Sequence, residues 1–211
     1  MTKLFTYLTA AFLSIVMIAP AQADDAALYA PEPPENAAFV RVINGTATKL
    51  DSLAVGGIAF TNVEALSISP YQIVPEGSYI SPKDEAVSWD VQPKKYYVLT
   101  MNDAATTLVE EEGIENPAKS QVYFYNLTSK ADAALHAPKH SVDIVGGVEA
   151  NSQSSKAINA LTLDISARIA GEEVETFQAV ELQRRIGTTF DVTEDTSGKL
   201  SAFYADNQQA Q

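Results

Sequence analysis

The chain has no cysteine, and only two of its 211 residues are histidine. The first absence excludes disulfide staples, thiolate metal sites and thiol catalysis, so the fold must be held by burial and hydrogen bonding. The second leaves His136 and His140 as the whole imidazole supply. They stand four apart in LHAPKHSVD, but Pro138 between them argues against the helix that would place both rings on one face. Asp132 or Asp143 could serve as a further ligand, yet no spacing sets one, and no metal or other cofactor is expected. Nucleophile signatures are missing too: there is no Gly-x-Ser-x-Gly elbow, Gly-Asp-Ser block or Asp-x-x-His pair, and no glycine-rich phosphate loop. His140 and Ser141 are adjacent, which in a strand sends their side chains to opposite faces. No catalytic residue is assigned.

Positive charge is also scarce, with 14 Lys and Arg against 27 Asp and Glu and a formal net charge of −13. Such a surface repels nucleic acid, anionic lipid and anionic polysaccharide within the Debye length of about 10 Å. Lys94-Lys95 and Arg184-Arg185 are the candidate basic patches, and both read most simply as solvated turn or edge charges.

Residues 1–23 hold one cation at Lys3, an apolar stretch from Leu4 to Ala19 and the small-x-small triplet Ala21-Gln22-Ala23. This is a secretory signal peptide with cleavage expected after Ala23 and delivery to a periplasm. No later run is long and apolar enough to span a bilayer.

Residues 24–37 contain Pro31, Pro33 and Pro34 and read as an extended lead-in, with Leu28-Tyr29 as a docking point. From Ala38 strand signals dominate. AFVRVIN, IAFTNV, YQIV, AVSWDV and KYYVLTM follow one another at short spacing, broken by Gly56-Gly57, Pro70 and Pro75-Glu76-Gly77. Residues 104–119 carry the run Glu110-Glu111-Glu112, whose mutual repulsion favours water and a solvated acidic linker. Strand signals resume in residues 120–205. The clearest is LTLDISARI, where Leu161, Leu163, Ile165, Ala167 and Ile169 alternate with polar residues. ETFQAVELQRRIGTTFDV is more ambiguous but favours strands, and residues 206–211 read as a frayed tail. The expectation is an all-β chain of two consecutive small β-sandwich domains, 38–103 and 120–205. Each is small for a fold without disulfides and is expected to pack on its sister or on a partner.

A repeat is visible in the pattern. AFVRVINGT is echoed by QVYFYNLTS, and Asn-Gly at the end of the first reads as hairpin chemistry. SLAVGGI and VDIVGGV match at their glycines with a different offset. Asn44-Gly45-Thr46 and Asn126-Leu127-Thr128 formally fit glycosylation acceptors, but read better as turns in which Asn bonds the backbone.

The segments ALYAPEPPENAAFVRVIN, INALTLDISARI and AVELQRRIGTTFDV resemble the AlgF family of alginate biosynthesis proteins. The resemblance runs in patches through most of the chain after Ala23. It implies a two-domain β-sandwich protein needed for acetyl groups to reach alginate, working beside a membrane acyltransferase and SGNH-like periplasmic acetyl-handling proteins. It supplies no catalytic motif.

Three readings follow. The first is a non-enzymatic periplasmic adaptor that couples proteins of a polysaccharide acetylation complex. The second is a carbohydrate-binding module using the aromatics near Trp89, with Tyr71, Tyr79, Tyr96 and Tyr97, although strand aromatics more often pack in a core. The third is an acetyl carrier or transferase with an unrecognised site, which would need a Ser or His to carry the acetyl group and would be tested by replacing His136 and His140. The acidity weighs against direct capture of a polyuronate, and nothing in the sequence marks a partner surface.

Overall fold

Period-two alternation over much of the chain produces strands that each present two different faces, and the two central sheets bury both of theirs. The structure, a computed structural model, describes residues 32–81 and 87–208. The signal peptide, Leu28-Tyr29 and the last three residues lie outside the described residues. No helix among the described residues is long and apolar enough to cross a membrane.

The first sheet is built on β1 (Ala37–Asn44), which runs parallel to β8 (Tyr96–Met101), with Arg41 opposite Val98. Its other edge is shared by β4 (Ser67–Ile68) and β5 (Gln72–Pro75), both antiparallel to it. On the far side β8 pairs with β9 (Thr106–Glu111). Ala38, Val40, Val42 and Leu99 on one face of this sheet are closed over by the hairpin of β2 (Leu50–Val55) and β3 (Ile58–Val63). Tyr79 and Trp89, from the hairpin of β6 (Gly77–Ile80) and β7 (Ser88–Val91), pack against the same core.

The second sheet centres on β10 (Lys119–Leu127), parallel to β16 (Gly187–Glu194) and antiparallel to β13 (Ser152–Asn159); β17 (Leu200–Asp206) pairs with β16. The third sheet orders β12 (Val142–Val148), β11 (Ala133–Ala137), β14 (Thr162–Ile169) and β15 (Glu172–Glu181). Val122, Phe124, Phe190 and Val192 from the second sheet meet Leu135 and Ile165 from the third in the largest apolar cluster. This is an all-β sandwich architecture. β15 and β16 resolve the ambiguous ETFQAVELQRRIGTTFDV segment as two strands.

The remaining faces of the first and second sheets pack on each other. Ile43 and Val98 meet Tyr123, Tyr125 and Leu127 in a third cluster. The described residues from Pro33 onward accordingly form one compact unit.

Several expectations change. Asn44-Gly45 is not a hairpin turn, since β1 pairs with β4, β5 and β8 rather than with the following strand. Gly45 also lacks the positive φ that such a turn requires. It is glycine because the second sheet arrives there. A Cβ would lie 2.9 Å from Thr193 Oγ1 and 3.1 Å from Leu127 Cδ1, and Thr193 Oγ1 donates to the Gly45 carbonyl at 2.9 Å. The acidic run is not a wholly solvated connector, because residues 106–111 form β9 and Glu111 is only 4 % exposed. Nor is the start of the tail frayed. Asp206 ends β17, the Asn207 N–H donates to the Gly187 carbonyl at 2.7 Å, and the Gln208 carbonyl accepts from Tyr71 N–H at 2.7 Å.

The two Asn-x-Thr corners have the same anatomy. Asn44 Nδ2 donates to the carbonyls of Thr48 and Glu64, at 2.9 and 2.8 Å, and its Oδ1 accepts from Thr46 N–H and Oγ1. Asn126 Nδ2 donates to Lys130 and Glu149, at 2.7 and 2.9 Å, and its Oδ1 accepts from Thr128 N–H and Oγ1. Both asparagines are fully buried, so these side chains are turn chemistry. The glycine pairs do not match in the same way: Gly56-Gly57 joins β2 to β3, whereas Gly146-Gly147 lies inside β12.

Candidate functional site: the interface between the first two sheets

A cation in the middle of an apolar strand must find a partner, because an unpaired buried charge costs several kcal/mol or more. Arg41 is that cation, and it is fully buried. β1 aims it away from the first core and towards the second sheet. Arg41 Nη2 bonds Glu111 Oε1 and also donates to Thr189 Oγ1 at 2.7 Å, while Nη1 donates to Asn207 Oδ1 at 2.5 Å. Arg41 Nε has no hydrogen-bond partner among the described residues, whereas both oxygens of Glu111 are engaged. Its Oε1 accepts from Tyr125 Oη at 2.9 Å and its Oε2 from Tyr71 Oη. The guanidinium also lies over the Tyr71 ring, 4.8 Å from its centroid.

The electrostatics favour one protonation state for Arg41 and for the three phenols around it. Burial, the largest single influence, would lower the Arg41 pKa, but Glu111 first and then the smaller contributions of Tyr71 and Tyr125 together outweigh it and hold the pKa above its ordinary value. Burial first, then the nearby Glu111 charge, pushes Tyr125 well up; burial does the same for Tyr71 and Tyr123. All three phenols therefore act as neutral hydrogen-bond donors or ring surfaces.

Asp191, on the same face of β16, is buried with neither carboxyl oxygen hydrogen-bonded. Burial raises its pKa well above the ordinary range, and Arg41 offsets this only in part. The folded state therefore holds a proton that the unfolded chain releases above about pH 3.9. Stability from this group is complete below that pH and is lost as pH rises towards the folded value. Asp191→Asn should raise the melting temperature at pH 7 and leave it nearly unchanged at pH 3. Thermal melts of both proteins across pH 3–8 check this, and a difference that does not grow with pH would refute it.

Two clefts open at opposite ends of the interface. One, of about 390 Å³, lies at the late ends of β8 and β10 and is lined by neutral groups such as Thr100, Asn102, Thr107, Asn151 and Gln153. The other, of about 450 Å³, lies at the early ends of these strands, where Tyr71, Tyr96, Tyr123, Ile114, Arg185 and Asn207 converge. Tyr96 stacks on Phe39 at 4.8 Å and meets Tyr71 edge-on at 5.2 Å.

The aromatics singled out in the sequence do not form one surface. Tyr97 is in the first core and its Oη accepts from Gln92 N–H; Tyr79 and Trp89 face each other across the β6–β7 hairpin; only Tyr71 and Tyr96 reach a cleft. Lys95 is paired with Glu110 at 2.8 Å. Arg184 and Arg185 form no ion pair among the described residues, and Arg185 stands at the second cleft. His136 Nδ1 meets Asp143 Oδ1 at 2.7 Å across β11 and β12, while His140 sits in a single 3-10 turn, Pro138–His140. No group of three or more His, Asp or Glu side chains among the described residues is placed to hold a metal.

Sequence reading missed Glu111, Tyr123, Tyr125 and Asn207. A usable signal was Arg41 itself, which shares a strand face with Phe39 and Ile43 and so demands a buried acceptor elsewhere.

The fold and site define an all-β protein whose two central sheets are joined through a buried polar cluster. The family model described as "Alginate O-acetyl transferase AlgF" matches residues 10–188, and the chain belongs to that family. A curated relative, "Alginate biosynthesis protein AlgF" of Pseudomonas aeruginosa, is 30% identical over 183 residues, covering 86% of this chain and 83% of the relative. The protein of the same name from Pseudomonas fluorescens is 30% identical over 181 residues, covering 85% of this chain and 82% of its own. A solved C-terminal domain of AlgF from P. aeruginosa aligns with 43% of this chain and 99% of its own length, at 22% identity and a TM-score of 0.39.

Proposed function

We propose that this chain is a periplasmic, non-enzymatic adaptor in alginate O-acetylation, exported by a signal peptide cleaved after Ala23, and that it couples the acetyl-handling proteins of the pathway. The family description and the relatives' names support the role in alginate acetylation. The observation that carries the adaptor reading is the lining of the Tyr96–Arg185 cleft. It offers ring faces and hydrogen-bond donors, and no serine, threonine, histidine or carboxylate lines it. That is an inventory for binding, since acyl transfer needs a nucleophile and a base within hydrogen-bond reach. The sugar-binding reading through Trp89 loses support because that ring packs against the first core.

The test combines three measurements. Deletion should abolish O-acetyl groups on the exported polymer while polymer is still made; the tagged full chain should co-purify with the pathway's acetyl-handling proteins; and the purified chain should release no acetate from an acetyl ester. Acetate release in proportion to enzyme, lost in His136→Ala, would replace the adaptor with an enzyme.

A further inference from the structure

We propose that the Tyr96–Arg185 cleft receives a single acidic side chain of a partner protein, carried beside an apolar or aromatic residue; the inference rests on the adaptor reading and names its recognition chemistry. In a chain of net charge −13, this cleft has no carboxylate in its lining and one cation at its lip. Arg185 is exposed and has no ion-pair partner among the described residues. Its position is fixed all the same. It sits in the turn before β16 with φ 63°, and its N–H donates to the Lys119 carbonyl at 3.1 Å.

A second donor is preset. Asn207 Oδ1 is committed to Arg41 and Thr189, at 2.5 and 2.7 Å, so the amide must turn its Nδ2 donor outward. Gly187 makes this possible: a Cβ there would lie 2.6 Å from Asn207 Nδ2 and 2.8 Å from the Tyr123 ring. Arg185 and Asn207 thus offer N–H groups to an anion, and charge-assisted bonds of this kind are the stronger ones. The half-buried Tyr96 ring and Ile114, 38 % exposed, supply the apolar wall beside them.

Charge decides between a protein and a polyuronate. Exposed Glu112 and Glu115 flank Gly113 and Ile114 at the cleft. A polymer with a carboxylate on every sugar would bring its neighbouring charges against them, whereas one acidic residue among neutral ones avoids that repulsion.

The experiment uses the isotope-labelled full chain after signal removal, titrated with the peptide acetyl-Gly-Phe-Asp-Gly-amide, its Asn counterpart, and a mannuronate hexamer. The Asp peptide should shift the amide signals of Tyr96, Ile114, Tyr123, Arg185 and Asn207, and the Asn peptide should bind about tenfold more weakly. Arg185→Gln should bring the Asp peptide down to that level, and Arg185→Lys should keep an intermediate affinity. Equal binding of the two peptides, indifference to Arg185→Gln, or a stronger response to the hexamer would overturn the proposal. Co-purification separates the two readings. If Arg185→Gln retains the acetyl-handling proteins as well as wild type does, the cleft assignment falls and the adaptor stands; if wild type retains none, both fall.

Discussion

Arg41→Ala should cost about 3–5 kcal/mol of stability, measured by urea unfolding, and Glu111→Leu should cost a similar amount, because each leaves the other charge buried and alone. Arg41 and Glu111 have side chains 0 % and 1 % exposed, so water cannot replace the missing partner. The double variant Arg41→Met with Glu111→Leu should lose far less than the sum of the single changes. It removes both desolvation costs together and leaves a surface able to pack against Tyr71 and Tyr125. An exposed pair behaves differently, with a typical value of about 1 kcal/mol or less. Lys95–Glu110, immediately before the start of β8 and on β9, provides that control, since its partners are 46% and 54% exposed. If Arg41→Ala and Lys95→Ala cost the same, the interface cluster is not the element that joins the sheets.

The second large effect is expected at the buried asparagines. Asn126→Ala strips donors from the carbonyls of Lys130, Val148 and Glu149 and an acceptor from Thr128. Leaving buried groups of this kind unsatisfied costs about 1–3 kcal/mol each, and water can relieve those near the surface, so a total of about 3 kcal/mol is expected. Asn44→Ala should cost nearly the same, because it makes the corresponding bonds at the end of β1. Asn126→Asp should be worse than Asn126→Ala, since it sets a carboxylate against carbonyl oxygens that now receive a donor. Chemical denaturation of the three variants gives the order directly; an Asp variant as stable as wild type would show that the corner opens to solvent.

Much of this architecture is legible locally. Period-two alternation in LTLDISARI places β14, and Leu163, Ile165, Ala167 and Ile169 are buried as the pattern requires. The turn chemistry of the two Asn-x-Thr corners is legible for the same reason, since their first bonds reach backbone only a few residues ahead. What sequence does not reveal depends on long-range pairing. Three successive glutamates look solvated because their nearest neighbours are like charges, yet the middle one meets an arginine 70 residues earlier. Asn207 looks like tail for a similar cause: its acceptor oxygen serves Arg41 from the other end of the chain. The glycine pairs mislead in the opposite sense, because Gly-Gly is common in turns and its recurrence says little about equivalent position.

The tight approach at Gly45 also fixes how the chain can transmit position. With Thr193 and Leu127 resting on a residue that has no side chain, the two sheets have no compliant layer between them at that point. In the proposed adaptor role this rigid approach would make the chain a strut and not a tether. Proteins held on its two halves would be kept at a set separation and angle, with their mutual effective concentration determined by geometry and not by the entropy of a linker.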